Sequence, residues 1–392
     1  MKNKKQNIID LAIVTREAFP VGMAATNRIL SYAQVLAKKN KVKVYITKPS
    51  ENINSIKNHQ AKGVINKLAF EYISRTTIWP FQESKLTKLR VLLNGYFTLL
   101  KLLKKDKPKT IIIYSSDVIL KIMIIYLFKK TKVIIEENEY PKILKQSTSK
   151  IKQNFHLYFY KKCDGLMVMT NELCQYYKSL NVKDVFILPM TVDIRRFNKN
   201  NVLVKKDYFV YVGGSGGIER DSLESMVIGF HLFLNKHPGF EFHIIGPLDK
   251  KNKNVIKVTD YVNKNKLRKS VLFKGIFKSD EIPKILQEAT GIVMTPQENF
   301  KSGGFPTKLG EFLASGTPVI TTNISEISFY LNESNSFIIS PGETKHIAKE
   351  MENIILNPIK AQIIGSEGQK TANRYFNAET YIKELKHFLN LT

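Results

Sequence analysis

The residues whose types and spacing point most directly to chemistry lie within residues 295–322. An apolar strand pattern at Gly291–Thr295 leads into a polar loop that contains Gly303–Gly304. A helix pattern starts near Thr307, and a second strand pattern follows at Pro318–Ile320. Strand, glycine loop, helix and strand form a βαβ unit, and its loop lies at the sheet edge where such folds bind ligands.

The start of this helix is suited to binding a diphosphate. The free N–H groups of a first helical turn and the helix dipole both favour negative charge, and Gly303 and Gly304 let an anion approach the main chain. Thr307 can cap the helix or bond a phosphate oxygen, and Lys308 adds a positive charge. Glu311 could accept two hydrogen bonds from ribose hydroxyls. The alternative is that Lys308 and Glu311 are ordinary charges on a helix surface.

The segment Gly303–Ile320, GGFPTKLGEFLASGTPVI, resembles the donor-binding signature of the family-4 (group 1) retaining glycosyltransferases, in its GFPTK-type variant. Family members have the GT-B fold and carry two glutamates separated by seven residues. Glu311 matches the second glutamate, and Gly303 stands where the first would be. The resemblance assigns Phe305 and Pro306 to the same donor loop. Glu298 is the nearby candidate to replace the missing carboxylate.

Chain length and element pattern indicate two α/β domains. A chain of 392 residues is long for a single core, and short apolar strands alternate with helix patterns along it, which is typical of parallel sheets covered on both faces. The resemblance implies two Rossmann-like domains facing each other across a cleft. We expect an acceptor-side domain at 1–199, a donor-binding domain at 200–375, and a final helix at 376–392 that packs back on the first domain.

A second glycine-containing loop follows the strand pattern Tyr208–Val212 in the donor domain. The loop, GGSGGIERD, lacks the third glycine of a dinucleotide fingerprint and the GK[ST] of a P-loop, so neither site is expected. The backbone amides of Gly214, Ser215 and Gly216 are suited to binding phosphate. In the family this loop carries an arginine and a lysine on the donor diphosphate, and their positions correspond here to Gly214 and Glu219. The adjacent Arg220 is therefore the candidate for the phosphate charge, with a solvent-exposed arginine as the alternative. The resemblance also places the nucleotide base against the backbone at Ile276.

The first domain contributes candidate acceptor residues after two of its strands. Gly22, Met23 and Ala24 precede a helix pattern that Thr26 or Asn27 could cap, and they resemble the first loop of GT-B enzymes. Arg28 on that helix could reach an anion or could be a plain surface charge.

A cluster of carboxylates, EENEYP at Glu136–Pro141, follows another strand pattern of the first domain. These side chains could orient an acceptor hydroxyl, act as a base or cap the next helix. The segment resembles the acceptor-side loop of the family, and Glu137 and Glu139 are the residues we select from it.

Positive charge is concentrated in the first half of the chain. Residues 1–200 carry 37 Lys and Arg against 14 Asp and Glu, whereas the remainder carries 24 against 20. A compositional bias would load both halves similarly, so the asymmetry suggests an anionic partner such as a membrane surface, a lipid-linked phosphate or nucleic acid. The leucine-rich basic helix pattern Glu83–Lys105 is read as a core-packed crossover helix, and it is also the first choice for membrane contact.

The expected location follows from several absences in the sequence. Cys163 and Cys174 form neither a zinc pattern nor a disulfide framework, which suggests a reducing compartment. The N-terminal apolar run is short and carries Asp10, so it reads as a strand and not as a signal peptide. Without a long apolar run, we expect a cytoplasmic protein that is peripheral at the inner face of the cell membrane.

The expected function is retaining transfer of a sugar from a UDP- or GDP-linked donor to a hydroxyl of a lipid-linked or glycan acceptor, in cell-surface polysaccharide synthesis. No Asp-x-Asp motif stands in a donor loop, so no metal or other cofactor is required. Two rivals remain open. A nucleotide-sugar epimerase of the same fold would use the same donor site, and a nonenzymatic nucleic-acid or membrane binder would use the charge, although no nucleic-acid motif is present.

Overall fold

The structure is a computed structural model that describes residues 8–79, 84–141, 149–197, 204–297 and 303–392. The chain divides into two compact units. Unit 1 comprises the residues up to Asp193 together with Ala378–Thr392, and unit 2 comprises Ile194–Asn377.

Unit 1 is built on a sheet of eight described strands. Their bounds are β1 Leu11–Thr15, β2 Val42–Ile46, β3 Lys62–Ile65, β4 Leu68–Tyr72, β5 Thr110–Tyr114, β6 Lys132–Glu137, β7 Gly165–Val168 and β8 Val185–Ile187. The strand order is β3-β4-β2-β1-β5-β6-β7-β8. Neighbouring strands are parallel except for β3 and β4, which pair antiparallel.

Helices cover both faces of this sheet. Their bounds are α1 Ala24–Ala37, α2 Lys85–Asp106, α3 Val118–Leu127, α4 Lys150–Lys162 and α5 Asn171–Ser179. Alternate residues of β1 face opposite sides, as the strand period requires. Leu11 and Ile13 pack in the cluster that contains α1 and the C-terminal helix Ile382–Phe388, whereas Ala12 and Val14 pack with α2 and α3.

The hairpin β3–β4 lies within residues 50–82, a stretch that shows no clear strand or helix pattern in the sequence. The two strands are joined by Asn66 and Lys67, which both have positive φ, and Ile65 pairs with Leu68 across the turn. Such a two-residue turn with left-handed residues is the form that matches strand twist, and asparagine tolerates it. The hairpin was missed because its strands are short and β3 is partly exposed, which weakens the hydrophobic pattern.

Unit 2 contains a second, fully parallel sheet. Its described strands are β9 Lys206–Val212, β10 Glu241–Ile245, β11 Val271–Gly275, β12 Ala289–Met294, β13 Val319–Thr322 and β14 Phe337–Ile339. The strand order is β11-β10-β9-β12-β13-β14. Its described helices are α6 Ser215–Arg220, α7 Leu223–Leu234, α8 Lys253–Lys264, α9 Ile282–Glu288, α10 Thr307–Ala314, α11 Thr344–Leu356 and α12 Pro358–Tyr375.

The α/β class and the two parallel sheets expected from the sequence are confirmed. One further difference concerns residues 213–221, which were expected to form a loop, because α6 occupies Ser215–Arg220 within them. Across the described ranges, no helix combines the length and the hydrophobicity that a bilayer-spanning segment needs.

Candidate active site

The start of α10 is open, as the glycine loop before it predicted. The helix begins at Thr307 after Pro306, and no side chain caps its N–H groups. The expectation that Thr307 caps the helix is therefore wrong, because Thr307 is itself the first helical residue. Gly303 has a φ of 73°, which only glycine adopts at little cost. Phe305 anchors the loop by packing its buried ring against Tyr330 and Phe376.

Lys308 is the second residue of α10 and adds a positive charge to its first turn. Its side chain is partly buried, and its ammonium has no hydrogen-bond partner among the described residues. Burial lowers the pKa of Lys308 below the ordinary lysine value, while the carboxylates of Glu311 and Asp221 favour its charge and Arg220 opposes it. The interpretation of Lys308 as an ordinary surface charge is wrong, since its side chain is partly buried and lies near the charges of Glu311, Asp221 and Arg220.

Arg220 lies at the end of α6 and is bound to its neighbour Asp221. Its Nε and Nη2 atoms donate to the two carboxylate oxygens at 2.7 and 3.1 Å. Asp221 is fully buried and also accepts from the hydroxyl of Tyr211 at 2.9 Å. The solvent-exposed alternative for Arg220 is therefore wrong, because the buried carboxylate orients its guanidinium.

The backbone of the loop before α6 runs close to this group. Gly214 precedes the helix as its N-cap, and Ser215 and Gly216 form the first turn. At Gly213 a Cβ atom would lie 2.0 Å from the Tyr211 hydroxyl oxygen, so only glycine fits. The carbonyl of Arg220 accepts from the amide of Gln297, which ties α6 to the segment that follows β12.

Glu311 forms an ion pair that the sequence did not reveal. Its Oε1 atom accepts from Nη1 of Arg196 at 2.8 Å, and both side chains are mostly buried. The surface-charge alternative for Glu311 is thus also wrong. Arg196 belongs to the segment VDIRRF, residues 192–197. Its two adjacent arginines, in an otherwise apolar and acidic segment, were the only sequence feature that could have pointed to Arg196 as a site residue. The partner of Arg196, 115 residues away, could not be read from the sequence.

Two further candidates for the donor site are Ile276 and Glu298. Ile276 follows β11 directly and is 63% exposed. The carbonyl of Gly275 accepts from the amide of Gly246, which fixes the turn against the end of β10. Glu298, the candidate to replace the missing carboxylate, lies outside the described residues.

In unit 1, the loop before α1 is held by short contacts. The helix begins at Ala24 with Met23 as its N-cap, so the expectation that Thr26 or Asn27 caps it is wrong. The Thr26 hydroxyl instead donates to the carbonyl of Ala18 at 2.6 Å. A Cβ atom at Gly22 would lie 2.1 Å from the Thr26 hydroxyl oxygen, which explains the glycine.

Arg28 is a buried structural cation, which contradicts the surface-charge alternative. Its side chain is 1% exposed and its Nε atom lies 2.5 Å from Oε1 of Glu136. Its Nη1 and Nη2 atoms donate to the carbonyls of Pro189 and Leu188 at 2.8 and 2.9 Å. The hydroxyl of Tyr32 donates to the other carboxylate oxygen of Glu136 at 2.8 Å. Burial is the main cause that raises the pKa of Tyr32, and the negative charge of Glu136 raises it further. Arg28 thus joins α1, β6 and the segment after β8.

The other two carboxylates of EENEYP differ in exposure. Glu137, the last residue of β6, accepts from the ammonium of Lys121 at 2.5 Å and from the hydroxyl of Tyr160 at 2.9 Å. Glu139 is exposed two residues further on. Glu137 is consequently oriented by α3 and α4, whereas Glu139 is open to solvent. No group of three or more His, Cys, Asp and Glu side chains suited to a metal ion occurs within the described part of the chain.

Comparison with known proteins assigns the fold. Residues 206–357 match the family described as Glycosyl transferases group 1. The chain is 28% identical over 199 residues to the capsular polysaccharide biosynthesis glycosyltransferase CapM of Staphylococcus aureus, a match that covers 49% of this chain and 50% of that protein. The chain thus matches only about half the length of that relative.

Solved structures resemble the whole chain. Sucrose-phosphate synthase from Thermosynechococcus elongatus aligns with a TM-score of 0.72 at 12% identity, covering 97% of this chain and 98% of that one. Anabaena HepE, solved in complex with UDP, aligns with a TM-score of 0.69 at 10% identity, covering 97% and 100%. The chain therefore has the GT-B fold, and its residues 206–357 are similar to the group 1 glycosyl transferases.

Proposed function

We propose that this protein is a family-4 retaining glycosyltransferase of the GFPTK type. It moves a sugar from a UDP- or GDP-linked donor to a hydroxyl of a lipid-linked or glycan acceptor, in cell-surface polysaccharide synthesis. The observation that carries the proposal is Lys308, a partly buried ammonium without a hydrogen-bond partner in the described ranges, at the uncapped start of α10. The proposal is further supported by the family match of unit 2, by HepE, which was solved with UDP, and by CapM, which acts in capsular polysaccharide synthesis.

In this proposal the donor diphosphate binds at the start of α10. Cleavage of the bond between the sugar and the diphosphate leaves added negative charge on the nucleotide. Lys308, Arg220 and the free N–H groups of the first helical turn stabilise that charge, because fixed donors in a site that excludes water act without reorganising. The main chain at Gly214, Ser215, Gly216, Gly303 and Gly304 gives the phosphates room.

In the same proposal, the nucleoside and the acceptor contact residues other than those that bind the diphosphate. Glu311 accepts hydrogen bonds from the ribose, and the backbone at Ile276 contacts the base. On the acceptor side, Gly22, Met23, Ala24 and Arg28 form or support the wall of the acceptor site, and Glu137 and Glu139 orient the hydroxyl that attacks.

Thermal denaturation in the presence of UDP, GDP and their sugar derivatives tests the donor site. A ligand at about 100 times its dissociation constant stabilises the native state by roughly 2.7 kcal/mol, which shifts the melting temperature measurably. We expect one nucleotide class to stabilise the wild type and to lose that effect in Lys308→Ala and in Glu311→Ala. Absence of a shift with every nucleotide would contradict the proposal and favour a charge-driven binding protein.

The reaction class is tested with the stabilising donor. Incubation with donor alone, followed by NMR of the sugar, separates the rivals, because an epimerase converts the donor without an acceptor. A retaining transferase instead releases, by slow hydrolysis, free sugar whose first-formed anomer has the configuration of the donor. Appearance of the opposite anomer first would contradict retention.

We propose further that unit 1 lies against an anionic membrane surface through α2, α3 and α4, which pack on one face of its sheet. We call the outward side of these helices the three-helix face. Tyr96, Leu99 and Leu103 of α2 are buried, as the core-packed interpretation requires. The large apolar side chains exposed on this face are Leu86, Leu89, Leu93, Phe97, Ile119, Tyr126, Leu127, Ile151, Phe155 and Tyr158.

The three-helix face combines these apolar residues with exposed basic residues. The apolar residues of α2 recur every three or four residues and so form one stripe. The hydroxyls of Tyr126 and Tyr158 lie 2.7 Å apart, which joins α3 to α4. Exposed basic residues flank the apolar ones: Lys88, Arg90, Lys101, Lys104, Lys105, Lys129, Lys130, Lys150, Lys152, Lys161 and Lys162. Apolar side chains flanked by lysine fit the headgroup region of an anionic bilayer, where a lipid-linked acceptor would reside.

Vesicle co-sedimentation tests this surface. We expect binding to vesicles that contain phosphatidylglycerol, weaker binding to phosphatidylcholine alone, and loss of binding in Leu93→Glu/Phe97→Glu. The matched control is Ile359→Glu/Ile363→Glu, which changes two equally spaced exposed residues of α12 in unit 2. Equal binding by both double variants would contradict the proposed surface.

A further inference from the structure

Arg196 connects two separate parts of unit 2. It ends the short turn Ile194–Arg196, and its guanidinium bonds to α10 on one side and to the loop after β11 on the other. Nη1 donates to Oε1 of Glu311 at 2.8 Å. Nη2 donates to the carbonyl of Ser279 and, at 3.2 Å, to its hydroxyl. A planar guanidinium makes both sets of bonds from two separate nitrogens, whereas the donors of an ammonium all share one nitrogen.

The turn that carries Arg196 is itself anchored. The ring of Phe197 is buried and lies 5.8 Å from the guanidinium carbon of Arg196. The carbonyl of Phe197 accepts from the side chain of Gln287 on α9 at 3.0 Å. The guanidinium is therefore held in place before any ligand binds, and it can hold Glu311 and the loop after β11 in fixed positions.

Only one carboxylate oxygen of Glu311 is used in this arrangement. Oε1 accepts from Arg196, whereas Oε2 has no hydrogen-bond partner in the part of the chain that the structure describes. Ser279 lies three residues beyond Ile276, so the same guanidinium also fixes the loop that includes Ile276. The two groups that would contact ribose and base are consequently held by one side chain.

We infer that Arg196 is a positioning residue for the nucleoside part of the donor. It holds Glu311 so that Oε2 can accept from the ribose hydroxyls, and it holds the 276–279 loop at a fixed distance from that carboxylate for the base. This inference rests on the proposed function of the donor site. It assigns different residues to the two parts of the donor: Lys308 and Arg220 bind the diphosphate, and Arg196 positions the groups that contact the nucleoside.

Because different residues bind the two parts of the donor, the inference predicts which ligands a variant binds more weakly. The probes are pyrophosphate, which contains only the diphosphate, and whichever of UDP and GDP binds the wild type more tightly. We expect Arg196→Ala to weaken the nucleoside diphosphate by roughly ten- to a hundredfold, the range for losing hydrogen bonds to a charged group, and to leave pyrophosphate affinity within about twofold. Arg196→Lys should recover only part of the loss, because the donors of lysine share one nitrogen and do not reproduce the fork of a guanidinium.

Isothermal titration of the full chain measures these affinities, and circular dichroism monitors folding. Arg195→Ala is the matched control, because Arg195 is the exposed neighbour in the same turn and bonds to neither Glu311 nor Ser279 in the described contacts. In the enzymatic assay, Arg196→Ala should raise the KM for the donor more than it lowers kcat.

The outcomes separate this inference from the proposed function. Unchanged nucleoside diphosphate affinity in Arg196→Ala, with normal binding by the wild type, refutes the inference and leaves the donor site standing. Equal losses of pyrophosphate and nucleoside diphosphate also refute it, because they indicate a general disturbance of unit 2. If the wild type binds pyrophosphate but neither nucleotide, the nucleotide-sugar function fails and the positioning role fails with it.

Discussion

The buried ion pair between Arg28 and Glu136 offers the most direct physical test of unit 1. Replacing Arg28 with methionine retains much of the apolar stem but removes the charge. The variant leaves Glu136 buried with only its bonds from Tyr32 and Asn138, and it leaves the carbonyls of residues 188 and 189 without their donors. Because the pair is almost completely shielded from water, the remaining carboxylate cannot be rehydrated without disturbing the core.

Breaking one side of a buried pair costs about 3–5 kcal/mol, because it leaves an uncompensated charge. We expect a loss of this size in the free energy of unfolding for Arg28→Met, and a comparable loss for Glu136→Gln. The double variant removes both charges, so its loss should be smaller than the sum of the single losses by roughly 1–3 kcal/mol. The exposed pair between Lys38 and Glu379 serves as the control, and Lys38→Met should cost at most about 1 kcal/mol.

Trp79 makes the assay specific to unit 1, because it is the only tryptophan of the chain. Its fluorescence during urea unfolding gives the free energy by linear extrapolation. The reasoning is refuted if Arg28→Met costs no more than Lys38→Met. It is also refuted if the losses from Arg28→Met and Glu136→Gln add without coupling.

Three further outcomes are expected. Burial lowers the pKa of Lys308, so the affinity for a nucleoside diphosphate should fall as the pH rises through that pKa, at a lower pH than for an ordinary lysine. Titration calorimetry from neutral to alkaline pH should show no such fall in Lys308→Arg, because arginine keeps its charge. Gly213→Ala should destabilise the protein by about 1–3 kcal/mol in urea unfolding, because its Cβ would meet the Tyr211 hydroxyl oxygen at 2.0 Å. Gly214→Ala should be tolerated, because its Cβ would come no closer than 3.5 Å to Pro247. Transferase activity should survive EDTA, and full loss that Mg²⁺ or Mn²⁺ restores would overturn the assignment of the leaving-group charge to Arg220 and Lys308.

The sequence predicts the elements around the donor site well, because apolar strands, glycines and helix periods follow one another there in a regular order. The helix that starts at Thr307 is an example, since Gly303–Gly304 before it and Gly316 after it mark both ends. The hairpin β3–β4 was not predicted, because strands of four and five residues with partly exposed faces give little periodic signal.

Charged side chains were predicted less well than elements. Arg28, Arg220, Lys308 and Glu311 could each have been surface residues, because a sequence shows the charge but not the partner. Their partners lie far apart along the chain in two cases, 108 residues for Arg28 with Glu136 and 115 for Arg196 with Glu311. Only the folded chain brings such groups together, so their burial and pairing follow from tertiary structure and not from local pattern.

The composition of unit 1 from two separated stretches has a consequence for synthesis on the ribosome. Residues 378–392 contribute Leu385 and Leu389 to the core formed around β1, and the carbonyl of Leu389 accepts from the hydroxyl of Thr110. These residues are made after all of unit 2, whose chain is continuous. Unit 2 can therefore fold as soon as it has left the exit tunnel, whereas unit 1 must wait with part of its apolar surface uncovered. The nascent chain is then most exposed to chaperones, and to aggregation, in its N-terminal half.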